Sequence, residues 1–199
     1  MEISVNDTTL PIIGDLSDSM SEKEFFDFCQ QNDVWRIERD ENKQIIIMPP
    51  TTANTGKRNL NLTFELEFWN RRKNYGICFD SSTGFTLPDG SVRSPDASWL
   101  TVEKWKQLSN DEKDQFPHIC PDFVIELKSK SDNLKSLTAK MHKWITNGCA
   151  FAWLINPEDQ TVLIFRKDGT IDKVDGFNKT LSGEDVLPGF ELDLSILND

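Results

Sequence analysis

The sequence predicts an α/β domain (α+β, with a mixed sheet) whose centre runs helix-β-β-β-helix-β. A helix and a hairpin precede this centre and a β meander follows it. Two segments, near 52–73 and 133–147, carry apolar residues at the three- and four-residue spacing of a helix face. The segments between and after them are short runs of Ile, Val, Phe and Trp, bounded by Gly, Pro, Asn and Asp turns.

Residues 1–20 are polar, Asp/Ser-rich and weakly patterned, and are expected to form an extended arm on a single domain spanning 21–199. Ser21 with Glu24 matches a capping box and opens a short helix through Phe25, Phe26 and Phe28. Val34–Glu38 and Gln44–Met48 flank the polar turn Asp40-Glu41-Asn42-Lys43, a hairpin pattern closed by Pro49-Pro50. In the long helix, Leu60, Phe64 and Phe68 recur every four residues, as do Leu62 and Leu66, which predicts burial along a broad face. Strands are expected at 77–80, 84–87 and 92–100, the last two separated by Pro88-Asp89-Gly90. A short helix at 102–108 and an exposed acidic insertion at 109–117 follow. A strand at 121–128, a helix at 133–147 stopped by Gly148, and a strand at 151–155 complete the centre. Asn156-Pro157-Glu158-Asp159 and Lys167-Asp168-Gly169 turn the final meander, 162–166 and 171–174.

Composition limits the function classes. The 199 residues contain 33 acidic and 22 basic side chains, a net charge of -11 that excludes a generally basic nucleic-acid-coating protein but not a local basic cleft. No apolar run approaches the roughly 20 residues of a spanning helix, and no basic-then-apolar leader opens the chain. A soluble, cytoplasmic protein with no membrane partner is expected. Cys29, Cys78, Cys120 and Cys149 form no CxxC pair, and the two histidines, His118 and His142, lie near no GxSxG elbow. Reduced thiols in apolar surroundings are the expected state. Any chemistry must come from carboxylates and lysines.

The stretch Asp122–Lys128 is the most informative. Strand alternation places Phe123, Ile125 and Leu127 on one face, with Glu126 and Lys128 on the other, about 7 Å apart. Ionisable groups on a strand bordered by helices are costly to bury unless they pair or bind a cation. A second acid comes from Ser94-Pro95-Asp96-Ala97-Ser98-Trp99, where Asp96 shares a face with Ser94 and Ser98. On adjacent strands, Asp96 and Glu126 would approach across about 4.8 Å, and a divalent cation would relieve their repulsion. Few protein oxygens and several retained waters describe a Mg²⁺ site working on a phosphate. Lys128 beside two carboxylates stays protonated, suited to holding water and offsetting transition-state charge. An ordinary ion pair at an exposed strand end explains the same residues equally well.

These residues, Asp96 in SPDAS with Glu126 and Lys128 in ELK, resemble the PD-(D/E)XK nuclease superfamily. More closely, the chain resembles the Uma-type restriction-endonuclease family, a bacterial domain of unknown function. The resemblance is carried in order by VWRIERDENKQIIIMPP, LPDGSVRSPDASWL, PDFVIELKSKSDNLKSLTAKMHKWITNG, AWLINPEDQTVLIFRKDG and LPGFELDLSIL. It implies a restriction-endonuclease-like core, Mg²⁺ (with Mn²⁺ able to substitute) and cleavage of DNA. The family's aspartate falls on Asp96 and its glutamate on Glu126. Its helix lysine, in a K-x3-aromatic-x3-G pattern, falls on Lys140, followed by Trp144 and Gly148. With both Lys128 and Lys140 present, either could be the catalytic lysine. Glu65 is a candidate additional acid, and the backbone carbonyl of Leu127 a further metal ligand. Where relatives commonly carry a histidine opening the long helix, this chain has Thr55-Gly56-Lys57-Arg58-Asn59.

Segments 56–74 and 126–143 each hold five basic and two acidic residues, which would permit a basic mouth on an acidic body. Two function classes follow. One is a Mg²⁺-dependent endonuclease acting on DNA through metal-activated water, with RNA as an alternative substrate. The other is a catalytically inactive nuclease-fold module serving binding or assembly. A homodimer, built on the aromatic-rich 28–50 region or the terminal meander, suits either.

Overall fold

The structure, a computed structural model, describes residues 2–5 and 8–11 by their backbone and residues 20–198 in full. Most of the expected arm therefore lies outside the described residues. Within it, β1 (Glu2–Val5) and β2 (Thr8–Pro11) pair antiparallel.

Helix α1 (Glu22–Gln31) begins at the Ser21–Glu24 capping box, in which each partner satisfies an otherwise orphaned amide of the other. The hairpin β3 (Arg36–Arg39) and β4 (Ile45–Met48) turns where Asp40 accepts from the amides of Asn42 and Gln44. Helix α2 (Ala53–Lys73) is capped by Thr52 and ends at Asn74 in the left-handed region. Strands β5 (Gly76–Asp80), β6 (Phe85–Thr86), β7 (Val92–Arg93) and β8 (Ala97–Thr101) come next. Short helices α3 (Val102–Gln107) and α4 (Asn110–Lys113) lead to β9 (Phe123–Leu127). Helix α5 (Leu134–Thr146) is capped by Asn133, and Gly148, at φ +107, turns the chain into β10 (Phe151–Asn156). Strands β11 (Thr161–Arg166), β12 (Ile171–Asp175), β13 (Thr180–Ser182) and β14 (Glu191–Asp193) and a 3-10 turn at Leu194–Leu197 finish it.

Two sheets matter for the site. The large one has the order β12-β11-β10-β9-β8-β5, with β9 and β10 parallel and the other neighbours antiparallel. One face packs Phe123, Ile125, Leu127 and Trp153 against Leu62, Leu66 and Trp69 of α2 and against Leu187, Phe190 and Leu197 of the C-terminal segment. The other packs Val124, Ala152 and Leu154 against Met141 and Trp144 of α5. The small sheet, β4-β3-β7-β6, lies on α1 through Phe25, Phe28, Ile37 and Val92.

Three expectations are corrected. The strand expected over 92–100 is two strands in different sheets. Pro95 has no amide to donate, and the Ser94 amide goes to the Glu38 side chain instead of a ladder. The acidic insertion at 109–117 contains the capped turn α4, and Phe116 packs on Phe25 and Phe26. The broad buried face of α2 is narrower than expected: Leu62 and Leu66 are buried, whereas Leu60 is 70% and Phe64 58% exposed. Residues two apart on a helix point about 200° apart, so the two four-residue series lie on nearly opposite sides and one sheet covers only one of them. Phe64 and Phe68 stack on each other in solvent, with the Arg72 guanidinium over Phe68.

These two faces should respond differently to substitution. Leu66→Ala is expected to cost about 2–5 kcal/mol in urea unfolding, and Phe64→Ala less than about 1 kcal/mol. Equal losses would mean that the outer stripe is packed as well.

Candidate active site

Strands β8 and β9 are neighbours, with Ala97 opposite Ile125. This brings the residue before β8, Asp96, to the C-terminal end of β9. The Asp96 amide donates to the Ile125 carbonyl at 3.0 Å, and its Oδ2 accepts from the Leu127 amide at 2.8 Å. The carboxylate is thus fixed against the residue that follows Glu126. Strand alternation turns the Leu127 carbonyl toward the same side as its amide. Asp96, Glu126, Leu127 and Lys140 line one cleft of about 660 Å³, walled on its apolar side by Trp35, Met48, Pro49 and Pro50.

Glu126 shares the α5-facing side of β9 with Val124 and is only 3% exposed. Two residues one turn apart on α5 reach it. Trp144 Nε1 donates to Glu126 Oε1 at 2.9 Å, and Lys140 Nζ lies 2.9 Å from the same oxygen. Lys140 also meets Glu38 Oε1 at 3.0 Å. Glu38, 2% exposed on β3, accepts from the Ser94 amide at 3.0 Å and from Arg93 Nη1 at 3.2 Å. Arg36, two residues earlier on the same strand face, sits 3.2 Å from Asp96 Oδ1 and also donates to the Ser94 carbonyl. Asn59, on α2, donates to Asp96 Oδ1 at 3.4 Å. The small sheet therefore lays one cation and one anion over the acids of the large sheet.

The electrostatics follow from burial. Desolvation pushes the Glu126 carboxyl up to about 7; Lys140 opposes the rise, while the Asp96 and Glu38 charges add to it. Burial also works against ionised Glu38, but Lys140, the Ser94 amide and Arg93 outweigh it and hold its pKa below the ordinary carboxylate value. Burial opposes the Lys140 ammonium too, and Glu126 and Glu38 outweigh that and raise its pKa. Cys29 also lines the cleft, but desolvation pushes its thiol up to about 12, which removes it as a nucleophile near neutrality.

Of the residues expected at the site, Asp96, Glu126, Lys140 and Leu127 come together, and Lys128 and Glu65 do not. Past the end of β9 the Lys128 ammonium turns away to Glu158 and to the Ser129 carbonyl. Glu65, on α2, does not line the cleft. The two basic segments do not form its mouth either, since Lys140 alone among their cations lines it. Lys57 donates to the Asn198 carbonyl, Arg71 pairs with Glu67 and Lys143 with Glu41. Sequence reasoning missed Arg36, Glu38 and Asn59. The available signal was the alternation Arg36-Ile37-Glu38, two charges on one face of a hairpin strand.

Among the described residues no group of three or more His, Cys, Asp or Glu side chains is arranged to hold a metal. Two carboxylates and a carbonyl are all-oxygen donors, a set that suits a hard cation retaining several waters and does not suit zinc. Asn59 Oδ1, beside Asp96, is buried without a hydrogen-bond partner, an acceptor available to such a water. In donor chemistry the set suits a hard divalent cation.

A family model described as "Putative restriction endonuclease" (Uma2) matches residues 22–195. The chain belongs to the Uma2 family. Its fold is similar to the crystal structure of "a putative nuclease belonging to DUF820" from Anabaena variabilis ATCC 29413. The TM-score is 0.69 at 20% identity, over 81% of this chain and 88% of that chain. No curated protein matches. The expected restriction-endonuclease-like α/β core is therefore borne out, and the acids of this Uma2 chain sit where its two sheets meet.

Glu126 has a consequence for stability. Its proton leaves the unfolded chain near 4.5 but is held in the fold to about 7. The stability this adds is complete below about 4.5 and is lost as pH rises through about 7. Relative to Glu126→Gln, the wild type should lose stability between pH 5 and pH 8 in urea unfolding. A constant difference across that range would mean that the carboxyl does not titrate there.

Proposed function

We propose that the chain is a Mg²⁺-dependent endonuclease, with Mn²⁺ able to substitute, that hydrolyses phosphodiester bonds in DNA. The observation carrying this reading is the convergence of Asp96 and Glu126, from neighbouring strands, on one cleft with the Lys140 ammonium. Uma2 membership and the nuclease-like fold support the same class.

In this reading Asp96, Glu126 and the Leu127 carbonyl hold the cation, which when bound polarises the phosphate and lowers the pKa of an attached water. The Leu127 amide and Trp144 Nε1 keep the two carboxylates oriented. Lys140 places its ammonium where negative charge develops on the phosphoryl oxygens. Trp35, Met48, Pro49 and Pro50 offer sugars and bases an apolar wall. The cleft's own side chains count four acids (Asp33, Asp96, Glu126, Asp132) against two cations (Arg36, Lys140), so nucleic acid would bind weakly until a divalent ion enters. Four free thiols suit a reducing cytoplasm. A homodimer carrying two such clefts belongs to the same proposal, and sedimentation reads it.

A second reading, a nuclease-fold module without catalysis, is favoured by one observation: Arg36 and Lys140 already neutralise the two acids. Nicking of supercoiled plasmid separates the two readings. The enzyme should cut only with Mg²⁺ or Mn²⁺, and Asp96→Ala and Glu126→Ala should each remove activity by at least about a hundredfold. Lys140→Ala should lose about as much, and Lys128→Ala less than about tenfold, because Lys128 faces Glu158. Wild-type rates in both carboxylate variants would refute the mechanism, and folded protein that neither binds metal nor nicks would establish the module. Supplying RNA in the same assay reads the other substrate.

A further inference from the structure

The Lys140 ammonium bridges two buried carboxylates, 2.9 Å from Glu126 Oε1 and 3.0 Å from Glu38 Oε1. The two hosts are unequal. Glu38 also accepts from the Ser94 amide and from Arg93 Nη1, and the Ser94 carbonyl lies 3.5 Å from Nζ as an additional acceptor on that side. Glu126 has Trp144 as its other donor. A divalent cation and an ammonium leaning on the same Glu126 oxygen repel each other, so coordination through that oxygen requires the ammonium to yield. The arrangement offers it one place to go without losing its charge partner. A shift of Nζ toward Glu38 and the Ser94 carbonyl keeps it hydrogen-bonded and leaves it beside the cleft.

We propose that Glu38 is a positioning residue that receives the Lys140 ammonium when a divalent cation takes Glu126, so that metal enters by exchange with the chain's own lysine. This rests on the divalent-cation reading of Asp96 and Glu126. Glu38 itself is no ligand in it. Its carboxylate, held from the small sheet, sets how tightly the lysine competes for Glu126. Without that charge the ammonium belongs to Glu126 alone and opposes the metal more strongly.

The test is Mn²⁺ titration by calorimetry on metal-free full-length protein, with thermal melts as a folding control. Glu38→Gln should weaken Mn²⁺ binding by about tenfold or more. Adding Lys140→Met to Glu38→Gln should restore the affinity to at least the wild-type level, because the competing ammonium is gone. The gain from Lys140→Met should be larger in the Glu38→Gln background than in the wild type, whereas a merely structural role for Glu38 predicts equal gains. The shorter Glu38→Asp, which keeps its charge but draws it back from Nζ, should weaken binding less and be rescued in the same way. It carries the test if Glu38→Gln does not fold. Undiminished Mn²⁺ affinity in the Glu38 variants, or a double variant as weak as its Glu38 parent, overturns the proposal while leaving the metal site standing. Wild-type protein that takes up no Mn²⁺ overturns the metal reading itself, and this inference with it.

Discussion

One ammonium ties the two buried carboxylates of this site together. Glu126 and Glu38 are almost wholly removed from water, and a buried carboxylate without a counter-charge costs more than ordinary packing recovers. Lys140 serves both, and the elements around it follow from that need. Helix α5 must run across the α5-facing side of β9 at a height that sets Lys140 and Trp144 over Glu126. The β3–β4 hairpin must fold back over the large sheet so that Glu38 meets the same nitrogen. Both carboxylates sit beside packed aromatic and aliphatic side chains, so neither has an easy retreat into solvent.

The large sheet was legible because its strands announce themselves locally. Phe123, Ile125 and Leu127 alternate with Val124 and Glu126, and turn residues separate β10, β11 and β12. The handover at Ser94-Pro95-Asp96 was less legible, since Val92 and the run Ala97–Leu100 read as one strand across Pro95 only if the chain stays extended, and tertiary pairing assigns the halves to different sheets. The α2 stripe Leu60-Phe64-Phe68 misled for the opposite reason: helical period reports a face, and says nothing of whether a partner covers it. Strands β13 and β14, three residues each, are too short to show a period.

The site divides in the same way. Asp96 and Glu126 could be read from the chain because strand alternation places them, and Lys140 because the family resemblance puts its helix lysine there. Lys128 satisfied the same alternation, but the strand ends at Leu127, and beyond it the backbone no longer dictates a face. Glu38 and Arg36 were not legible as site residues. Their partners lie 102 and 60 residues away, Lys140 and Asp96, and the contact depends on how one sheet lies over another. Asn59 lies near the start of α2, and its identity alone gave no sign that it reaches Asp96.

The split at Pro95 divides responsibility for the cleft between two layers of unequal robustness. Glu126 belongs to a six-stranded sheet covered on both faces and Asp96 sits at the start of one of its strands, whereas Glu38 and Arg36 ride on four short strands resting on α1. Thinly packed layers open at lower free energy than the body they lean on. Moderate heating that loosened only the small sheet would strand Lys140 on Glu126 and disorder the cleft wall while the far-ultraviolet signature of the whole stayed nearly intact. The cleft would then lose its shape before the chain as a whole unfolds.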